Sequence, residues 1–197
     1  SYAIDLLIIG ALQRENLVNY YVGSIARKVT RKAPCSVLLL IHPSIERIAC
    51  KHIVVNGLED PKTEKTLQTS FHVAHKLCAS KITVVEEILE QEIHVHVDDD
   101  TTLRKATIAK EKLIRREDTR VQKIIAGIDE SQKQSLTIRS QAIFGKRGYS
   151  IGHYAEVSRA DLLVMNAPVR TKFWDRLFPH DIEHILTELP TDVLIVR

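Results

Sequence analysis

The chain has 197 residues, of which 44% are hydrophobic and 27% charged, and its formal net charge is +3. This composition is typical of a soluble globular protein, and so small a positive charge does not indicate nucleic-acid binding. The three cysteines are an odd number without CxxC spacing, and no apolar run approaches the roughly 18 residues of a membrane span. We therefore expect a cytosolic protein without a signal peptide, a disulfide framework or a zinc site.

The first part of the chain is predicted to form a strand, a loop, a helix and a second strand. The apolar run Ile4–Ile9 ends at Gly10 and is typical of a strand buried on both faces of a parallel sheet. Ser24 is a good N-cap for a helix that ends before Pro34, and Ser36–Ile41 is the next predicted strand.

The rest of the chain alternates between strands and helices, which predicts an α/β domain with a mainly parallel sheet. Apolar residues keep helical spacing from Thr101 to Ile128, which predicts one long helix, or two helices with a break near Glu117. The alternation in Glu90–Val97 predicts an extended segment. The other predicted elements are strand His52–Val55, helix Pro61–Ala79, strand Ile82–Val85, strand Leu136–Phe144, helix Tyr149–Arg159, strand Leu162–Met165, helix His180–Glu188 and strand Val193–Val196.

One pattern occurs twice, at a fixed offset of 156 residues that carries Asp5–Leu40 onto Asp161–Val196 without a gap. An offset of this size corresponds to a domain and not to a solenoid repeat. The repeat predicts that the chain starts near the end of one domain, residues 1–41, and continues after a linker at 42–50 through a complete second domain at 51–197. We therefore predict an open five-stranded, mainly parallel sheet with helices on both faces, plus a partial second copy.

Gly10 follows a predicted strand, and ligands bind beyond the carboxyl ends of strands in open parallel sheets. Gly23 and Ser24, thirteen residues further on, open the next helix, whose free N–H groups attract anions. Two interpretations of these glycines stay open: ordinary turn and helix-start geometry, or residual anion binding.

This spacing resembles the nucleotide motif of the universal stress protein family, which is Gly, two residues, Gly, nine residues, Gly, then Ser or Thr. The four positions hold Gly10, Gln13, Gly23 and Ser24 in this chain, and Arg14 follows Gln13. Three of the four marks are present in register, with Gln13 in place of the second glycine.

The second part of the chain resembles the whole fold of the same family. His52–Gly57 is similar to the family's first strand and turn, with Asn56 in place of an Asp that often holds the base, and Ala160–Val164 is similar to its fourth strand. The resemblance implies a Rossmann-like, adenine-nucleotide alpha hydrolase-like fold. It also implies ATP or another adenine nucleotide as ligand, with no metal of its own, at Gly10, Gln13, Arg14, Gly23, Ser24 and Asn56.

The second copy of the repeat departs from the nucleotide motif. Proline has no N–H to donate, so a proline in place of Gly23 removes a phosphate ligand. We expect this copy not to hold ATP in the family's manner, while the first copy lacks a first strand and its base-holding Asp. The residues that replace Gly10, Gln13, Gly23 and Ser24 in the second copy are Asn166, Val169, Pro179 and His180.

The remaining candidates are better explained as surface features. The basic stretch Arg104–Lys123 includes acidic residues and no aromatic residues for base stacking, which favours a solvated helix face. Three histidine pairs are better explained as surface residues than as metal ligands: His72 with His75, His94 with His96, and His180 with His184. His180 and His184 lack a carboxylate or cysteine at helpful spacing. His94 and His96 precede Asp98–Asp100 and could form a metal patch, but an edge strand followed by a helix is favoured, because Asp before Thr101 is a normal signal for a helix start.

The resemblance implies a regulatory or sensory module. We expect this module to be non-catalytic, because the sequence has no Ser-His-Asp order, nucleophile elbow, Walker loop or paired carboxylates. The resemblance implies a homodimer formed through the last strands. It leaves two alternatives: the cytoplasmic tail of a cation/proton antiporter, with the membrane transporter in the same polypeptide, or an ATP-binding member with slow hydrolysis. No nucleic-acid partner is expected.

Overall fold

The structure, a computed structural model, describes residues 4–10, 24–41, 46, 48–93, 95, 98–167, 185–186 and 189–197. The strands among these residues are β1 Leu6–Gly10, β2 Ser36–Leu40, β3 His52–Asn56, β4 Lys81–Ile88, β5 Thr137–Phe144, β6 Leu162–Asn166 and β7 Asp192–Val196. The helices are α1 Ser24–Lys32, α2 Thr63–Leu77, α3 Asp100–Ala126, the four-residue α4 Glu130–Lys133 and α5 Tyr149–Val157. Ile185 and Leu186 are also helical.

The seven strands form one sheet in the order β1-β2-β7-β6-β3-β4-β5. Neighbouring strands run parallel, except that β2 and β7 are antiparallel. The predicted α/β class and mainly parallel sheet are confirmed. Within the part of the chain that the structure describes, residues 51–197 contribute five strands, β3 to β7, which pair in parallel with one another, and β2 pairs with β7 so that β1 and β2 extend the same sheet to seven strands.

The strand register follows the sequence repeat. Leu6 pairs with Ser36 in the β1–β2 ladder, and the offset of 156 residues carries this pair onto Leu162 and Asp192, which pair in the β6–β7 ladder. Gly10 and Leu40 likewise map onto the pair Asn166 and Val196. The two copies of the repeat therefore have the same backbone pairing, although few of their residues are identical.

The β2–β7 ladder is symmetric about its centre, where Leu38 pairs with Leu194, its own equivalent under the offset. Two hydrogen bonds flank this pair in equivalent places. The amide of Ile41 donates to Asp192 Oδ1 at 2.8 Å, and the amide of Arg197 donates to Ser36 Oγ at 3.2 Å. Aspartate in one copy and serine in the other thus accept the same bond.

Both edges of β7 are occupied, by β6 on one side and by β2 on the other. The pairing of last strands that we predicted between two copies of the chain is therefore found within one chain. A homodimer stays a prediction, and it would require a surface other than the edge of β7.

Helices cover both faces of the sheet, as predicted. On one face, a single apolar cluster joins α1 and α5 to β2, β6 and β7, and it includes Ile185 and Leu186. On the other face, α2 and α3 pack on β3, β4 and β6 around Phe71, Leu67 and Val121. Both clusters contain residues from more than one strand pair, so the sheet and its two helical layers share a continuous core.

Strand β1 differs from its prediction. The run Ile4–Ile9 predicted a strand buried on both faces, but Ile4, Leu6 and Ile8 are exposed, whereas Leu7 and Ile9 pack against the apolar core. The prediction of burial on both faces is wrong because no helix among the described residues covers the face that carries Leu6 and Ile8. β1 is also an edge strand.

Helix α3 is unbroken over its 27 residues, which settles the two alternatives in favour of one long helix. Asp99 is its N-cap, as the aspartates before Thr101 predicted: the amide of Thr102 donates to Asp99 Oδ1 at 2.7 Å. The extended prediction is wrong for Glu90–Glu92, which form a short 3₁₀ turn. The alternating pattern predicted an extended backbone, but this segment forms a turn, which is stabilised by the hydrogen bond from the amide of Leu89 to Glu92 Oε1.

Candidate functional site

The carboxyl ends of parallel strands meet along one edge of the sheet, and three sequence-selected positions end strands there. Gly10 is the last residue of β1, Asn56 of β3 and Asn166 of β6. β3 and β6 are direct neighbours, whereas β2, β7 and β6 separate β1 from β3. The predicted site residues therefore fall into two places, one at the end of β1 in the first copy of the repeat and one at the end of β3, beside the β6 strand of the second copy.

In the first copy, Gly10 is exposed at the end of β1, and α1 begins at Ser24, as the sequence predicted. Gln13, Arg14 and Gly23 lie outside the described residues. The structure thus supplies a strand end and a helix start for the proposed phosphate loop. Anion binding at this place stays a prediction.

Asn56 is buried and forms part of the turn that leaves β3. Its side-chain oxygen Oδ1 accepts a hydrogen bond from the amide of Leu58 at 3.0 Å, the short-range bond typical of an asparagine turn. At this position the resemblance predicted a base-holding residue. In the structure the side-chain acceptor of Asn56 stabilises the turn before α2.

Asn166 occupies the position that Gly10 has in the first copy. Its Nδ2 donates to Thr63 Oγ1 at 3.1 Å, and the Thr63 hydroxyl in turn donates to the carbonyl of Leu58. Its Oδ1 is buried and has no hydrogen-bond partner among the described residues. A side chain therefore lies where the motif has only a glycine, and it bridges the end of β6 to the start of α2.

Lys62, which precedes α2, adds a second hydrogen bond between the start of α2 and the end of β6. Its Nζ donates to the carbonyl of Ala167 at 3.0 Å, while the amide of Ala167 donates to the carbonyl of Val196 at 2.7 Å. The turn after β6 is thus held at both its amide and its carbonyl. Lysine also places a positive charge beside the N-terminus of α2, where the helix dipole is itself positive.

Sequence reasoning identified Asn166 only as a lost glycine and missed Lys62 and Thr63. The available signal was local: both residues follow the Asn56-Gly57 turn and open the next helix. The long-range partners of these side chains lie more than 100 positions away, at Asn166 and Ala167. No periodicity in a single sequence indicates such a pairing.

Gly57 shows why the turn after β3 has little room. A Cβ on Gly57 would lie 2.8 Å from Val84 Cγ1 and 3.3 Å from Glu86 Cγ. Behind this turn, Arg120 of α3 donates through Nη2 to the carbonyl of Gly57. The turn after β3 is therefore fixed by close packing against β4 and by the hydrogen bond from α3.

Two adjacent glutamates of β4, Glu86 and Glu87, are buried, and as neighbours in a strand they lie on opposite faces of the sheet. Glu87 accepts hydrogen bonds from the amides of Gly148 and Ile151 at 3.0 and 2.8 Å, so its carboxylate lies at the N-terminus of α5. Glu86 Oε1 accepts from Ser140 Oγ at 2.9 Å, while its Oε2 has no partner among the described residues. Burial raises the pKa of Glu86 to about 7, against the hydrogen bond from Ser140 and the charge of Arg120.

The histidine candidates divide by location. His72 and His75 are exposed on α2, which confirms the predicted surface positions. His94, His96, His180 and His184 lie outside the described residues. The described part of the chain contains no group of three or more His, Cys, Asp or Glu residues that could hold a metal ion. Among the helices described here, none is both long and apolar enough to cross a membrane.

Residues 1–40 match the sequence profile of the universal stress protein family. No curated protein is significantly similar to the chain in sequence.

Solved structures with the same fold cover most of the chain. A functionally unknown protein from Pseudomonas aeruginosa PAO1 is 18% identical over 97% of this chain, with a TM-score of 0.59. A universal stress protein from Archaeoglobus fulgidus DSM 4304 is 14% identical over 98%, with a TM-score of 0.58. The chain spans 62% and 60% of the lengths of these two proteins.

A third structure matches over its whole length. Universal stress protein UspA from Lactobacillus plantarum is 13% identical over 77% of this chain and 100% of its own, with a TM-score of 0.54. At these identities the likeness establishes the fold alone.

Proposed function

We propose that this protein is a non-catalytic regulatory module. Its first 40 residues match the universal stress protein family, and its fold is found in universal stress proteins. In this proposal the second copy of the repeat binds no nucleotide at its strand ends and acts through protein contacts. The first copy retains at most residual binding of an adenine nucleotide or another anion at Gly10, Gly23 and Ser24.

The observation that carries the proposal is the pair of side-chain hydrogen bonds that bridges the end of β6 and the start of α2. Asn166 and Lys62 use their side chains to join the end of β6 to the start of α2, through Thr63 and the carbonyl of Ala167. A phosphate at this place would have to displace two internal hydrogen bonds that the chain already makes. The sequence adds a second obstacle, since Pro179 stands where the motif has a glycine amide.

Calorimetric titration of the chain with ATP and with AMP, each with and without magnesium, tests this function. We expect no micromolar binding, and any weak affinity should disappear in a Gly23→Pro variant, because proline removes the amide that would bind phosphate. A phosphate-release assay should give no hydrolysis above that of buffer.

The variant Asn166→Gly is the matched control for the second copy. It restores the motif glycine and removes the bond to Thr63, but it leaves Pro179 in place, so we expect it not to create nucleotide affinity. Micromolar binding that survives in Gly23→Pro and is lost in an Asn166→Asp variant would place nucleotide in the second copy and would refute the proposal.

A further inference from the structure

Strand β1 exposes an apolar stripe at the edge of the sheet. Leu6 and Ile8 are 45% and 56% exposed, and as alternate residues they lie on one face of the strand, while Ile4, just before the strand, is 61% exposed. Edge strands of natural proteins usually protect themselves with charges, proline or bulges, because an open apolar edge attracts further strands. The stripe therefore requires an explanation.

The opposite edge of the same sheet provides the comparison. β5 is the other edge strand, and its exposed positions are Thr137, Arg139 and Gln141. These residues are polar or charged, as expected for an edge that faces water. The apolar stripe is thus particular to β1 and is not a general property of the edges of this sheet.

In the second copy of the repeat, the positions equivalent to Leu6 and Ile8 are covered by neighbouring elements. The offset of 156 residues carries Leu6 onto Leu162 and Ile8 onto Val164, which are 5% and 0% exposed. Leu162 and Val164 pair with Ile53 and Val55 of the parallel strand β3.

Helix α2 covers the face of β6 that carries these two residues, with Leu67 and Phe71 in the same apolar cluster. In β6, a neighbouring strand at the edge and an amphipathic helix on the face together bury Leu162 and Val164. The equivalent residues of β1, Leu6 and Ile8, are exposed. Because β1–β2 and β6–β7 have the same register, the geometry that accepts this pair of elements is present at β1 as well.

We propose that the edge and exposed face of β1, called here the β1 surface and formed by Ile4, Leu6 and Ile8, bind a strand–helix unit with the chemistry of β3 and α2. The strand of this unit is apolar and adds parallel to β1, which continues the sheet, and the helix places its apolar side on Leu6 and Ile8. The occupant is polypeptide other than residues 1–197. This surface goes beyond the proposed regulatory role and stands whether or not nucleotide binds.

A second copy of the chain does not supply this unit. The apolar residues of its β3 and α2, such as Val54 and Phe71, are fully buried in its own core. The β3 strand is also hydrogen-bonded on both sides, by β4 and by β6. Releasing either element would dismantle the copy that donates it.

Methyl NMR of the full chain tests the proposal, with a synthetic peptide of residues 51–77 as the probe, because that peptide contains the strand and helix whose chemistry is proposed. We expect saturable binding that shifts the methyl signals of Ile4, Leu6 and Ile8. The double variant Leu6→Lys/Ile8→Lys should weaken binding by about tenfold or more, since docking would desolvate two ammonium groups.

The matched control places lysines at the other edge, in Thr137→Lys/Gln141→Lys, which should bind the probe as wild type does. Both double variants change exposed positions, and far-UV circular dichroism verifies their folding. Absence of probe binding, or binding that the β1 lysines leave unchanged, overturns the proposal. Dimerisation of the chain alone in light scattering that Leu6→Lys/Ile8→Lys abolishes would also overturn it, in favour of a second copy as the occupant.

Discussion

Glu86 is a carboxyl group enclosed between β4 and α3, with one oxygen hydrogen-bonded to Ser140 and the other without a partner among the described residues. Removing a carboxylate from water favours its neutral form, which is why the pKa of Glu86 is raised from 4.5 to about 7. The folded protein therefore holds a proton that the unfolded chain releases between these values. Glu86 links the stability of the fold to pH near neutrality.

The stability of the wild type should fall as the pH rises from about 5 to 8, relative to a Glu86→Gln variant. Below the unfolded pKa the carboxyl is neutral in both states, and above the folded pKa it is charged in both, so the loss accumulates in between and amounts to at most about 3 kcal/mol. Urea unfolding of both proteins at pH 5 and pH 8 measures this difference. The exposed Glu59→Gln serves as control, and equal pH dependence of wild type and Glu86→Gln would contradict the prediction.

Single residues were predictable where their role is local. Asp99 caps α3 through the residues that follow it, and His72 and His75 lie on the polar side of a helix whose stripe is visible in the sequence. Glu86 and Asn166 were not predictable in the same way. Their environment is set by Ser140 and Thr63, which are distant in sequence and become neighbours only in the folded chain.

At the scale of elements, α3 carries a buried carboxylate, Glu117, that pairs with two arginines of the same helix, and each arginine also bonds outside the helix. Glu117 accepts from Arg120 Nε at 2.9 Å and from Arg116 Nε at 2.8 Å. Arg120 continues to the carbonyl of Gly57, and Arg116 continues to Glu92 at 3.3 Å. Arg120 is the more enclosed of the two arginines and reaches the turn of the candidate site.

We expect Arg120→Ala to lower the free energy of unfolding by about 1–3 kcal/mol, because it removes a partner of a buried carboxylate and leaves the Gly57 carbonyl without its donor. Arg116→Ala is the matched control. Its side chain is more than half exposed, so a loss of no more than about 1 kcal/mol is expected. Urea denaturation checks both values, and equal losses would show that the bond to Gly57 contributes nothing.

Most elements could be predicted because apolar periodicity is strong in α2, α3 and β3. β4 was predicted to end at Val85, yet it continues to Ile88. The continuation was hidden because Glu86 and Glu87 look like the polar end of a strand. Their charges are accommodated by Ser140 and by the start of α5, which no local pattern reveals.

At the scale of the molecule, the two copies of the repeat share one core. Leu39 of β2 and Val193 of β7 pair in the ladder and are fully buried in the same apolar cluster. Arg27 of α1 donates to the carbonyl of Leu186 at 2.9 Å, and Arg197 donates to the carbonyl of Arg31 at 2.8 Å, at the end of α1. These contacts predict that β1, α1 and β2 unfold together with the rest of the sheet.

Leu39→Ala should destabilise the whole protein by about 2–5 kcal/mol and keep a single unfolding transition, since the cavity lies in the shared core. Amide signals of β2 and of β3, followed by NMR through a urea titration, should lose intensity at the same midpoint. Leu77→Ala, at an exposed position, should change stability by roughly 0.5 kcal/mol or less. Loss of the β2 signals before those of β3 would mean that the two copies fold independently.

The repeat predicted the order of strands and helices but not their union into one sheet. That union depends on the antiparallel pairing of β2 with β7, whose residues are more than 150 positions apart. The prediction that β1 is buried failed in a similar way. Its apolar run looks like that of a central strand such as β6, and the sequence does not reveal which strand has neighbours on both sides.

The symmetric meeting of β2 and β7 within one polypeptide has a consequence for divergence. In a dimer of identical chains, each substitution appears on both sides of the axis, and dilution separates the partners. Here the two sides are covalently joined, so mass action does not oppose their association, and each can change alone. Gly10 and Asn166, which stand in equivalent places, are such a divergence: one polypeptide can combine an open strand end with a closed one.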